Sequence, residues 1–107
     1  GYETCAFVGL HLKDPSDFDR VADELKKIPE VVECHCPTGD YDLFIKLYAT
    51  NNHHLMSIIY DKLQPLGLSG SETMISFRTV IDRQLPIAQM KIEERSEMVD
   101  EEADPEP

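Results

Sequence analysis

Residues 33–49 read "ECHCPTGDYDLFIKLYA". Two strand-like runs flank a Pro-Thr-Gly-Asp punctuation. Val31 to Cys36 reads as one strand, Pro37 to Asp40 as a tight turn, and Tyr41 to Ala49 as the next strand, with Leu43, Ile45 and Leu47 on one face. A hairpin is predicted, and its turn poses a chemical question. Two cysteines, a histidine and two aspartates sit together there, so a metal site, an acid catalyst and a small-molecule cradle are the candidates.

Outward from the hairpin, the period of the apolar residues changes. From Tyr2 to Leu12, Ala6, Val8, Leu10 and Leu12 alternate with Cys5, Phe7, Gly9 and His11, the period-2 pattern of a strand. After it, Asp14 or Ser16 provides a cap, and Phe18, Val21, Leu25 and Ile28 recur at helical spacing until Pro29 ends the run. Beyond the hairpin Asn51 caps a second helix whose stripe is Leu55, Ile58, Ile59 and Leu63, closed by Pro65 and Gly67. Thr73 to Val80 reads as the last strand, and "IDRQLPI" as a closing segment.

The order β-α-β-β-α-β is two split βαβ units. Right-handed crossovers then place both helices on one face of a four-stranded antiparallel sheet, an α+β, ferredoxin-like architecture. The other face would carry Phe7, Cys34, Cys36, Phe44 and Tyr48 or their alternates. A patch so apolar predicts that two sheets meet face to face in a dimer.

Composition bounds the function. At 107 residues the chain holds one domain, and 41% hydrophobic with 29% charged residues is ordinary for a soluble protein. No apolar run approaches the roughly 18 residues of a membrane span. A net charge of −11 repels phosphate backbones, so DNA is not a partner of this stretch itself. The tail "EERSEMVDEEADPEP", residues 93–107, sets eight acids against one arginine and reads as a solvated acidic extension, with a helix from Ile87 to Met98 as another option. Three cysteines without a secretory leader predict free thiols in a reducing cytoplasm. The chain begins with Gly1 rather than Met, which suggests a piece of a longer protein.

The site candidates can then be weighed. Cys34 and Cys36 share one side of a strand and could meet His11 across the sheet, but zinc prefers C-x2-C knuckles in pairs and no second half exists. Small polarizable residues filling a sheet face is the simpler reading. His53 and His54 point about 100° apart on a helix and cannot co-ligate. Asp40 and Asp42 flank Tyr41, but no nucleophile, phosphate loop or oriented base accompanies them. No cofactor is expected. On residue chemistry alone the turn uses Gly39 for a positive φ and its aspartates for Asx bonds.

The segment "PEVVECHCPTGDYDLFIKL" further resembles the signature of the Lrp/AsnC (feast/famine) transcriptional regulators, through Glu33, Cys34, His35, Thr38, Gly39, Asp40, Tyr41, Asp42 and Lys46. "PLGLSGSETMISF" is similar to the family's turn and T-x-T strand start, and "LPI" at 85–87 to its closing. The resemblance runs from about Thr4 to Ile87. It implies the effector-binding and oligomerisation (RAM) domain over residues 1–87, followed by an acidic extension over 88–107. It also implies that a helix-turn-helix DNA-binding domain belongs in front of Gly1.

What the resemblance implies about mechanism is a sheet-paired homodimer that assembles further, for instance to an octamer, around a small amino-acid effector. Thr38, Gly39, Asp40, Tyr41 and Asp42 would cradle the zwitterion, the turn amides meeting its carboxylate and an aspartate its ammonium. Ser71 and Thr73 of an adjacent protomer would add hydroxyls. Three departures stand out: Ser71 replaces the first threonine, Pro37 removes a backbone N–H beside the turn, and Asn51 replaces an aspartate cap. Two alternatives are a stand-alone RAM module that co-assembles with other regulators and a dimeric α+β barrel enzyme using His11 or His35.

Overall fold

The computed structural model describes residues 3–86. Strand β1 is Thr4–Leu12, helix α1 Phe18–Lys26, β2 Val31–His35, β3 Leu43–Ala49, helix α2 Asn52–Ser57 and β4 Leu68–Ser76. The sheet order is β2-β3-β1-β4 with every pairing antiparallel. This is the ferredoxin-like arrangement with both helices on one face.

Capping fixes where the helices start. The Asp14 carboxylate accepts from the Ser16 N–H at 3.0 Å and opens a short 3-10 turn, Pro15–Asp17, that leads into α1. Asn51 Oδ1 accepts from His54 N–H at 2.8 Å and starts α2. α2 then widens into a π-helical stretch, Ile58–Leu63, and tightens into a 3-10 turn, Gln64–Leu66, before Gly67 reverses the chain at φ 84°. The wider turn lets Ile58 and Leu63, five residues apart, both face the sheet. The Arg20 guanidinium donates to the Leu66 carbonyl at 2.9 Å and ties α1 to this helix end.

The core lies between the helices and one sheet face. Ala6, Val8 and Leu10 of β1 and Leu43, Ile45, Leu47 and Ala49 of β3 are fully buried, covered by Val21, Leu25, Leu55, Ile58 and Leu63.

Three expectations are corrected. β4 runs from Leu68 to Ser76 rather than Thr73 to Val80. It pairs with Leu12 as soon as Gly67 has turned, and stops opposite Cys5 because β1 ends one residue further on. The Ser- and Gly-rich start hid this strand. Next, β2 ends at His35 and β3 begins at Leu43, so the loop between them is longer than a tight turn. Last, Cys34 pairs with Ile45, a core-facing residue, which puts it on the helix side and not on the open face. A register shift between Val31 and Glu33 sets this parity. Cys34 and His11 therefore lie on opposite faces and cannot share a cation. The acidic extension, the Ile87–Met98 helix option and the end of "LPI" lie outside the described residues.

Candidate functional site at the hairpin turn and the open sheet face

The loop between β2 and β3 holds Thr38, Gly39 and Asp40, all exposed. Gly39 adopts φ 112°, and nothing lies within 4 Å of where a Cβ would stand, so backbone conformation rather than space requires glycine. Asp42 is a clip. Its N–H donates to the Leu10 carbonyl at 2.9 Å and its Oδ2 accepts from the Leu12 N–H at 2.8 Å, which fastens the loop to β1.

Tyr41 turns the other way, onto the open face. Its ring lies directly over Gly9, where a methyl group would overlap the ring atoms. His11 approaches it at 5.2 Å between centroids and Phe44 at 6.0 Å. Its hydroxyl donates to Glu72 Oε1 at 2.9 Å, and this bond to a carboxylate, with some desolvation, pushes the phenol pKa up. Gly9 and Glu72 were missed in the sequence as site residues. The Gly9↔Glu72 pairing across β1 and β4 is what brings them together.

Beyond Tyr41 the open face is an aromatic strip with one cation. Phe7 stacks on Phe44 at 6.0 Å, and the Lys46 ammonium lies 5.4 Å from the Tyr48 ring centre and 6.0 Å from that of Phe7. Lys46 also reaches Glu33 at 3.6 Å, while Glu33 binds His35 Nε2 at 2.9 Å. The His35 hydrogen bond, followed by the Lys46 charge, holds the Glu33 carboxyl below the usual range. A hydrogen bond with Tyr48 is the main cause raising Lys46. Met74, opposite Phe7, is 40% exposed.

Ser71 and Thr73 stand apart from this group. They pair with Leu10 and Val8 and therefore share the helix-side face of the edge strand β4. Ser71 borders a hollow of about 370 Å3 with Leu63, Gln64, Leu68, Ser69 and Gly70. Within one chain the structure thus joins Tyr41 to Glu72, and leaves Ser71 and Thr73 across β1 from the turn. Among the described residues no three His, Cys, Asp or Glu side chains converge to hold a metal. No described helix is long and apolar enough to cross a membrane.

Comparison with known proteins agrees with this fold. Residues 5–86 match the Lrp/AsnC ligand binding domain. The regulatory protein AsnC of Haemophilus influenzae is 34% identical over 86 residues, which cover 79% of this chain and 57% of that protein. The structure of Escherichia coli AsnC superposes with a TM-score of 0.77 at 29% identity, over 79% of this chain and 58% of that one. A Neisseria meningitidis transcriptional regulator, solved in complex with L-Met, has the same fold with a TM-score of 0.74 at 20% identity, over 83% of this chain and 60% of its own. The chain spans a little over half the length of these proteins.

The fold and the matched relatives define a domain of transcriptional regulators, not of an enzyme. The chain belongs to the Lrp/AsnC family and carries its ligand-binding domain.

Proposed function

We propose that this domain senses a small amino acid and couples its binding to assembly state, within an Lrp/AsnC regulator whose DNA-binding helix-turn-helix lies outside this chain. We read residues 1–87 as the RAM domain and 88–107 as an acidic extension. The observation that carries the reading is the loop at Thr38–Asp42. Its glycine stands at positive φ, its tip is exposed and polar, and its base is clipped to β1 at the rim of an aromatic sheet face.

The chemistry fits a zwitterion. Exposed amides around Gly39 suit a carboxylate, and Asp40 suits an ammonium. Asp42 is already engaged by Leu12, so its role is to position the loop. Pro37 has no N–H to offer. Ser71 and Thr73 are too far around the sheet to complete the same pocket, so they serve one formed with a neighbouring protomer. Binding and assembly are then linked, and a coupling of about 1–3 kcal/mol is enough to shift the oligomer. The L-Met complex of the Neisseria relative supports an amino acid as the effector class.

A thermal-shift screen against the twenty amino acids with parallel light scattering tests this. One amino acid should raise the melting temperature and change the particle size, and Asp40→Ala should abolish both. Binding unaffected by Asp40→Ala, or no response to any amino acid, overturns the reading.

A further inference from the structure

β2 is an edge strand, paired with β3 on one side only, and the pairing ends at His35↔Phe44. Cys34 lies inside the ladder and Cys36 one residue past its end. Both thiols are free and exposed, and both border one groove of about 350 Å3 between β2 and α1, with Phe18, Ala22 and Leu25 on its other wall. Cys5, opposite Tyr48 on the open face, is remote from them.

We infer that Cys34 and Cys36 form a dithiol modification site that takes low-molecular-weight disulfides as substrate and closes to an intrachain disulfide beside the Thr38–Asp42 loop. The inference is independent of the effector reading.

The geometry admits the bond and also makes it labile. Two strand residues at i and i+2 are about 6.4–6.8 Å apart at Cα, the upper end of what a disulfide spans. That distance is set by the backbone of His35, so closing the bridge requires His35 to give up its pairing with Phe44, the last of the ladder, while the unpartnered outer side of β2 offers no second ladder to resist it. A bridge closed under such strain is readily reduced again, the behaviour of a regulatory rather than a structural disulfide.

The reactivities of the two thiols are ordered. Burial, followed by the neighbouring Cys36, pushes the Cys34 thiol up, and Cys36 lies past the end of the ladder, so Cys36 makes the first attack. Cys36 Sγ attacks oxidised glutathione, forms a mixed disulfide and expels one glutathione thiolate. Cys34 then loses its proton and attacks Cys36 Sγ, and the second glutathione leaves. Two protein thiols are oxidised, one glutathione disulfide is reduced to two thiols, and the two protons pass to them. The new ring spans His35 and pulls on Pro37, so it loosens the His35↔Phe44 pairing and changes the entry to the loop.

The test is intact and peptide mass analysis of the whole folded chain after incubation with oxidised glutathione and alkylation of remaining thiols. The expected product is lighter than the reduced chain by about 2 Da before alkylation, takes up a single alkyl group, at Cys5, has the bridge mapped to Cys34–Cys36, and reverts with reduced glutathione. Cys5→Ser should behave like the parent, whereas Cys36→Ser and Cys34→Ser should each stop at a single glutathione adduct on the remaining member of the pair. A stable mixed disulfide in the parent, a bridge that includes Cys5, or crosslinks only between chains would overturn the assignment.

Discussion

The hydroxyl of Tyr41 reaches across β1 to donate to Glu72 on the far edge strand, at 2.9 Å, with its ring lying flat on Gly9. One side chain thereby joins three consecutive positions across the sheet: loop, central strand and edge. The absence of a side chain at residue 9 is what makes the approach possible.

Gly9→Ala is therefore expected to destabilise the fold by about 1–3 kcal/mol, since the ring must move off β1 and give up its Glu72 bond. Urea denaturation measures this. In the Tyr41→Ala background the same substitution should cost far less, and additive losses in the double variant would show that the ring contact is not the cause.

Asp42→Ala should cost about 1–3 kcal/mol without any ligand, because the Leu12 N–H loses a charged acceptor. Asp40→Ala should change the stability of the free protein little. Equal effects of the two would contradict a division between clip and exposed tip.

Acid should weaken the junction between the α1–β2 loop and helix α2. The Glu30 side chain is only 10% exposed and binds Lys62 Nζ at 2.9 and 3.0 Å and His54 Nε2 at 3.2 Å. The Thr50 N–H donates to His54 Nδ1 at 3.0 Å, so Nε2 carries the hydrogen that Glu30 accepts. The Lys62 hydrogen bond is the main cause holding the Glu30 carboxyl below its ordinary value. A depressed native pKa means that the unfolded chain binds more protons, so stability rises with pH across this interval. The contribution is complete above the ordinary glutamate value of about 4.3 and is lost as pH falls through the lower native one. Urea midpoints from pH 6 down to about 3 should show a steeper decline for the parent than for Glu30→Gln; parallel curves would remove Glu30 as the source.

Phe44→Asp should yield monomers if the aromatic strip is where two sheets meet. The charge would sit between Phe7 and Tyr41, where a second sheet leaves it no water. Sedimentation velocity distinguishes the species, and an unchanged oligomer would place the contact elsewhere.

The fold was legible in the sequence wherever periodicity and caps agreed. Alternation in β1 and β3, helical stripes ending at Pro29 and Gly67, and Asn51 as a cap are local features, and the backbone obeyed them. The first half of β4 escaped notice because "LSGSE" has weak strand propensity; its pairing with β1 holds it in place. At the loop, the positive φ of Gly39 was read from the sequence and is what the backbone adopts, whereas the clip that Asp42 makes to Leu12 was not.

The sequence by itself determined the element order, the apolar faces and the loop chemistry, because each depends on neighbours a few residues away. Tertiary structure decided the rest. The register shift between Val31 and Glu33 chose which face the cysteines occupy, since a slip of one residue inverts every side chain that follows. The antiparallel register of β1 against β4 set Glu72 beside Gly9 and within reach of Tyr41, a meeting of residues 31 positions apart that no local pattern encodes.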